Sequence, residues 1–274
     1  MSGLVVNTNI SALQGNFSLA NTTSALQSSL LKLSTGLKIN SAADDASGLA
    51  ISQGMTAQIN GLNAATQNAQ NGVSVLQTAD GGLNTAQSIL QRINTLAVSA
   101  ANDATLTTTD KNLMQSEVNQ LSSELDRMAS TVSFNGKTLL DGSYTGQTLQ
   151  VGEGSGSQFQ LTVNVGGVSS SSLGIASLDI VNSASAAIAT VGSAIDSVSA
   201  TRGSIGATIN RLNYTVQNLG IEVQNATASV SNIQDVNMAT EMSNFTRLQV
   251  LQQSGTAMLA QANQQPQAVL KLIG

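Results

Sequence analysis

Residues 188–233 read IATVGSAIDSVSATRGSIGATINRLNYTVQNLGIEVQNATASVSNI. Alternating steps of three and four residues meet Ile188, Val191, Ile195, Val198, Arg202, Ile205, Ile209, Leu212, Val216, Leu219, Val223, Ala226, Val230 and Ile233; only Arg202 is charged. Apolar residues held to a 3.5-residue spacing draw one stripe along a helix, and a stripe this long is the seam of a coiled coil. At 1.5 Å per residue the helix is roughly 70 Å long. A compact globule cannot hide such a stripe, so the chain must supply helices of similar length beside it. Ile195, Ile205, Ile209, Leu212, Val216 and Leu219 are the expected centre of that seam.

Composition agrees with narrow helix-on-helix packing. The 274 residues are 41% hydrophobic but include no Trp, only two Tyr and four Phe, so the core is aliphatic. Charged residues make up 9% against about 25% in ordinary globular chains, and Ser, Thr, Asn and Gln replace them. Such a surface resists association weakly. The absence of Cys and His removes disulfides, Cys–His nucleophiles, Ser–His–Asp triads and the usual zinc ligands. No nucleophile-and-base pair or phosphate loop stands out, so neither an enzyme nor a cofactor is expected. The net charge of −5 argues against nucleic acid. No apolar run is long enough for membrane insertion, and Met1-Ser2-Gly3-Leu4 lacks the basic and apolar regions of a cleaved signal. Export without a cleaved signal peptide is the expectation.

Around the central stripe the chain reads as mainly α. An N-terminal helix carries Val6, Ile10, Leu13, Phe17 and Ala20, then slips by one residue into Leu19, Thr23, Leu26, Leu30, Leu33 and Leu37, and should break near Gly36 and Asn40. After a loop at 40–46, a second long helix carries Met55, Ile59, Leu62, Thr66, Ala69, Val73 and Leu76 beside a row of Val75, Ala79, Ala86, Ile89, Ile93 and Leu96. Its glycines at 54, 61, 72, 81 and 82 suggest close helix contacts or a bend near Gly81. A third helix, capped by Thr108 or Thr109, shows Met114, Val118, Leu121, Leu125, Met128 and Val132 and stops at Phe134-Asn135-Gly136. From about 137 to 178 the period changes to two, giving one or two β-hairpins with a flexible serine tip at 169–172. Past Ile233 the stripe loses register and resumes as Met238, Met242, Phe245, Leu248, Leu251, Gly255, Met258 and Ala262. Pro266 should end that helix before an apolar tail of Val269, Leu270, Leu272 and Ile273.

Two features could suggest chemistry. Asp44 and Asp45 could form a carboxylate pair, but adjacent side chains do not face one another on a helix, and a helix-start role fits better. Gly152-Glu153-Gly154-Ser155-Gly156 has no Lys or helix start behind it and reads as a hairpin turn.

The ordered blocks at both ends resemble bacterial flagellin. They include Leu33-Ser34-Thr35-Gly36-Leu37-Lys38-Ile39-Asn40 with Ser41 to Gly48, Asn68-Ala69-Gln70-Asn71-Gly72, and Leu90-Gln91-Arg92-Ile93-Asn94-Thr95-Leu96. Ala239-Thr240-Glu241, Gln252-Gln253-Ser254-Gly255-Thr256 and Leu259 to Gln264 match the family's ending. The resemblance implies a long antiparallel helical bundle with a small β-hairpin region and terminal helices that form an inner coiled coil on assembly. Residues 1–42 and 236–274 would be the halves of an inner filament-core domain, disordered in the monomer, and 43–235 the helical core domain. The interval 141–185 leaves no room for outer domains, so a short form is expected. Function would be a non-covalent structural homopolymer, the extracellular filament used for motility. Leu26, Leu30, Leu33, Leu248, Leu251 and Met258 are the expected inner-tube residues. Implied partners are other subunits, the export chaperone, the filament cap and the hook–filament junction proteins. Arg92, Leu96 and Glu117 match positions contacted by the Toll-like innate receptor, although Asn94 and Thr95 stand where that pattern has charges. The hook–filament junction protein shares the terminal pattern, and a membrane-interacting secreted helical protein would also have charge-poor amphipathic ends.

Overall fold

The computed structural model describes residues 8–273, with side chains described through residue 264. Five helices, α1 (Ile10–Thr35), α2 (Ala46–Ala100), α3 (Thr108–Thr131), α4 (Ala184–Gln234) and α5 (Met238–Ile273), carry most of the chain. Between α3 and α4 lie the short strands β1 (Ser133–Phe134), β2 (Lys137–Thr138), β3 (Gln147–Gln150) and β4 (Gln160–Val163). Val6 of the expected N-terminal stripe, and the side chains of the tail Val269, Leu270, Leu272 and Ile273, lie outside what is described. The chain divides into two compact units, 58–224 and 1–57 with 225–274, whose boundaries fall inside α2 and α4.

The unit spanning 58–224 is built on two heptad ladders. Along α4, Val191, Val198, Ile205, Leu212 and Leu219 follow one another at seven-residue steps and are all buried. The other row, Ile188, Ile195, Ile209 and Val216, is half-buried against the same core. The stripe is therefore lopsided, with one row in the seam and one along its edge. The second helix differs from its expected reading. Its buried line is Leu62, Ala65, Ala69, Gly72, Leu76, Ala79, Leu83, Ala86, Leu90, Ile93, Ala97 and Ala100, a single three-four line in which large and small residues mix. The alanines leave room for close helix packing, and the leucines fill the space between.

The glycines of α2 also face something other than a helix. A Cβ on Gly72 would meet Leu149, and one on Gly82 would meet Leu140 and Val132, while Gly54 and Gly81 face open space. The close approaches are thus to the β region and the end of α3. α3 starts one residue earlier than expected: Thr107 is the cap, its hydroxyl accepting from Asp110 N while Asp110 accepts from Thr107 N, a reciprocal capping box. Val118, Leu125, Met128 and Ala129 face the core, and Val132 has already left the helix as its C-cap.

Asn135 and Gly136, both at positive φ (48° and 77°), turn β1 onto β2, as a two-residue hairpin loop requires. Leu139 and Leu140 then enter the core fully buried. β3 and β4 pair from Gln147↔Val163 to Gln150↔Gln160. A Cβ on Gly152 or Gly154 would lie within 2.5 Å of the Phe159 ring, so glycine is what lets the loop lie flat on that ring. Asp141 accepts from Thr138 and Ser143, which lower its pKa to about 2.

The serine tip is the clearest departure. Ser170 is buried, and both its N–H and its hydroxyl donate to the Asp126 carboxylate of α3, at 2.7 and 2.8 Å. Residues 169–172 are pinned to the helix instead of forming a free flexible loop.

In the unit made of 1–57 and 225–274, α1 pairs antiparallel with α5. Gly36, at φ 75°, ends α1, and the chain then touches the α4–α5 junction: Lys38 N donates to Gln234 O at 2.6 Å and Val236 N to Gly36 O at 2.9 Å. Asp44 accepts from Ser41 and Asn40, which hold its pKa below the ordinary value. Asp45 instead accepts from Gly48 N in the first turn of α2. The two carboxylates diverge.

Pro266 does not end α5, which continues to Ile273. A proline inside a helix deprives the carbonyl four residues back of its donor. That carbonyl belongs to Ala262, and Asn9 Nδ2 donates to it at 2.8 Å. Asn9 also caps α1 by accepting from Ala12 N, so one side chain serves both helices.

Candidate assembly surfaces

The pairing of α1 with α5 leaves the more apolar faces outside. Along α1 the line shielded from solvent runs Ala12, Gly15, Leu19, Thr22, Leu26, Ser29 and Leu33, flanked by Thr23 and Lys32; along α5 it runs Glu241, Phe245, Leu248, Gln252, Gly255, Leu259 and Ala262, flanked by Asn244. Both sets keep the three-four rhythm, yet they are rich in small and polar residues. Gly15 sits under Leu259 and Gly255 under Leu19, each so close that a Cβ would come within 3.4 Å. Ser29 donates to Glu241 at 2.5 Å, and Gln252 donates to Thr23 at 3.5 Å. Ile10, Leu13, Phe17, Leu30, Leu31, Met238, Met242, Val250, Leu251 and Met258 meanwhile stand about half or more exposed, Met258 at 70%.

This splits the expected inner-tube residues. Leu26, Leu33 and Leu248 are half-buried on the α1–α5 seam, whereas Leu30 (55%), Leu251 (50%) and Met258 point outward. The expected α5 stripe takes residues of both faces: Phe245, Leu248, Gly255 and Ala262 lie on the seam, while Met238, Met242, Leu251 and Met258 point outward.

Within the other unit, Ile205, Leu212 and Leu219 lie in the buried row of α4 and Ile195, Ile209 and Val216 in its half-buried row. Arg202 occupies that second row. Its Nε donates to Asp80 at 2.8 Å and its Nη1 to Gln87 at 2.7 Å. Asp80 and Gln87 are seven residues apart on one line of α2, so the guanidinium spans two successive turns of the ladder. A polar group at one seam position favours one helix register at a cost in stability. Removing only the carboxylate, Asp80→Ala, should lower stability by about 1–2 kcal/mol because the guanidinium stays in the seam without its anion. Asp80→Leu combined with Arg202→Met should return it to the native level, as read by urea unfolding.

Arg92 and Glu117 form an ion pair between α2 and α3, with N···O distances of 2.8 Å and both side chains roughly half-exposed. Leu96 is only 6% exposed and belongs to the core. Its apolar side chain faces inward from α2, so of these three matched positions only the charged pair lies on the surface. Among the described residues no group of three or more Asp or Glu could hold a metal ion, and no helix is long and apolar enough to cross a membrane.

A family model described as the bacterial flagellin N-terminal helical region matches residues 6–145, and one for the flagellin C-terminal helical region matches 188–273. The chain belongs to the bacterial flagellin family. It is 42% identical to a flagellin of Halalkalibacterium halodurans over 98% of this chain and 100% of that one. It is 40% identical to a flagellin of Bacillus subtilis, covering 98% and 99%. A flagellar filament 33 kDa core protein of Treponema phagedenis is also 40% identical, covering 98% and 100%. This flagellin is a structural protein, a subunit of the flagellar filament.

Proposed function

We propose that this flagellin polymerises through the outward faces of α1 and α5, which pack against copies of themselves to line the inside of the filament. The observation that carries this reading is the inverted amphipathicity of the pair. Phe17, Leu30, Leu251 and Met258 remain in solvent while Ser29, Glu241 and Gln252 occupy the seam. A single chain gains nothing from that arrangement. Repeated head to tail without closure, the same contacts generate a helical polymer. Residues 1–42 and 236–274 supply the inner part in this reading, and 43–235 the surrounding core. The cap, the junction proteins and the export chaperone would meet the same terminal helices. An innate receptor would meet the Arg92–Glu117 pair, with Leu96 supporting it from beneath.

The contact is apolar and charge-poor, which predicts its response to salt. Raising NaCl from low to physiological strength should leave the critical concentration for seeded polymerisation within about threefold, because few charges are there to screen. Sulfate should lower it, since that anion strengthens apolar burial. Dissolution of filaments by moderate NaCl would show that ion pairs, and not the apolar faces, hold the subunits.

A further inference from the structure

We propose that Asn135 is a self-modification site, converted to aspartate and isoaspartate through an imide formed with Gly136, and that the fold shields the chain's other Asn-Gly pairs from the same reaction. Asn-Gly is the dipeptide most open to this chemistry because glycine has no side chain to screen its amide. The Gly136 nitrogen attacks Cγ of Asn135 and gives its proton to solvent base. The bond from Cγ to the side-chain nitrogen breaks, and that nitrogen leaves as ammonia. Water then opens the five-membered imide at either carbonyl, giving aspartate from one and isoaspartate from the other. Water is the only co-reactant, and no oxidation state changes.

The chain holds three such dipeptides, Asn60-Gly61, Asn71-Gly72 and Asn135-Gly136. All three asparagines are solvent-exposed, so exposure does not separate them. Backbone freedom does. Asn60 and Asn71 lie inside α2, where each glycine N–H is committed to the carbonyl four residues earlier and the helical backbone holds that nitrogen away from the side chain. Reaction there requires unwinding the middle of a long helix. Asn135 and Gly136 instead form the loop between two-residue strands. That loop is held closed by the pairs Ser133↔Thr138 and Phe134↔Lys137 and, behind them, by the Leu139 N–H donated to Val132 O. A short hairpin opens at far lower cost than the interior of a helix.

The product matters to the fold. Isoaspartate adds a methylene to the main chain of a loop whose length sets the strand register. Immediately after it, Leu139 donates its N–H to Val132 O at 3.0 Å, and Leu139 and Leu140 are fully buried. The modification therefore loosens the β region at its anchor in the core.

The test is peptide mapping by mass spectrometry of the full chain, held folded as monomer at mildly alkaline pH, with isoaspartate detected by enzymatic methylation. Conversion at residue 135 should run at least about tenfold faster than at 60 and 71, equivalent to about 1.4 kcal/mol of differential opening. In urea the three rates should converge to within about threefold as the structural protection is lost. A folded chain in which Asn60 or Asn71 keeps pace with Asn135 overturns the proposal. So does one in which Asn135 reacts no faster than exposed Asn102, which precedes Asp103, or a persisting difference in urea.

Discussion

A chain lacking residues 1–42 and 236–274 is expected to give no filament from seeds under conditions in which the full chain elongates, and Leu251→Asp in the full chain should come close to the same result. Leu251 and Leu30 are about half exposed and lie off the α1–α5 seam, so neither contributes much to holding that pair together. If each is buried between subunits, replacing leucine by aspartate forfeits about 1.5–3 kcal/mol of apolar burial and adds the cost of desolvating a carboxylate. A loss of about 3–4 kcal/mol per subunit raises the critical concentration on the order of several hundredfold. Monomer helicity should stay nearly unchanged for both Leu30→Asp and Leu251→Asp. The seam variant Gly255→Leu is the contrasting case: it forces a side chain into a site where even a Cβ lies 3.4 Å from Leu19, and should lower helicity before assembly begins. Circular dichroism separates the two classes.

The second large effect is expected inside the core. Leu212→Ala should destabilise the unit spanning 58–224 by about 2–5 kcal/mol, because Leu212 is fully buried and the α2–α4 ladder cannot collapse onto the vacancy without drawing two long helices together. Val216→Ala, in the half-buried row of the same helix, should cost only about 1 kcal/mol. Urea unfolding of the two variants measures the difference. Equal costs would mean that the two rows share the seam evenly, contrary to the lopsided burial.

How much of this was legible in the sequence depended on side-chain size. The α4 stripe is written in Val, Ile and Leu, which contrast strongly with their polar neighbours, and its rhythm identifies both the long helix and its need for partners. The matching line of α2 is half alanine and glycine. Ala65, Gly72, Ala97 and Ala100 give little hydropathy contrast, and without them the buried leucines Leu83 and Leu90 fall outside the two rows that Val75, Ile89 and Leu96 draw. For the terminal helices the error had the opposite sense. The most apolar residues draw the expected stripes, yet the intrachain seam takes Gly15, Ser29 and Gln252 and leaves Phe17 and Met258 outside. Pairings between distant residues left no local trace at all. Nothing near Pro266 announces that Asn9 will serve the Ala262 carbonyl, and nothing in the serine run announces Asp126, 44 residues earlier.

If the outward face of α1 and α5 becomes the subunit interface, methionine oxidation reports its burial. Met238, Met242 and Met258 are 49%, 48% and 70% exposed in the single chain, while Met128 in the core is 7% exposed. In monomer, the first three should oxidise rapidly and Met128 slowly. In assembled filament, Met238, Met242 and Met258 should slow at least about tenfold toward the rate of Met128, as expected when a thioether passes from solvent into a packed interface. Unchanged rates for these three on assembly would mean that this face stays in solvent and that other surfaces join the subunits.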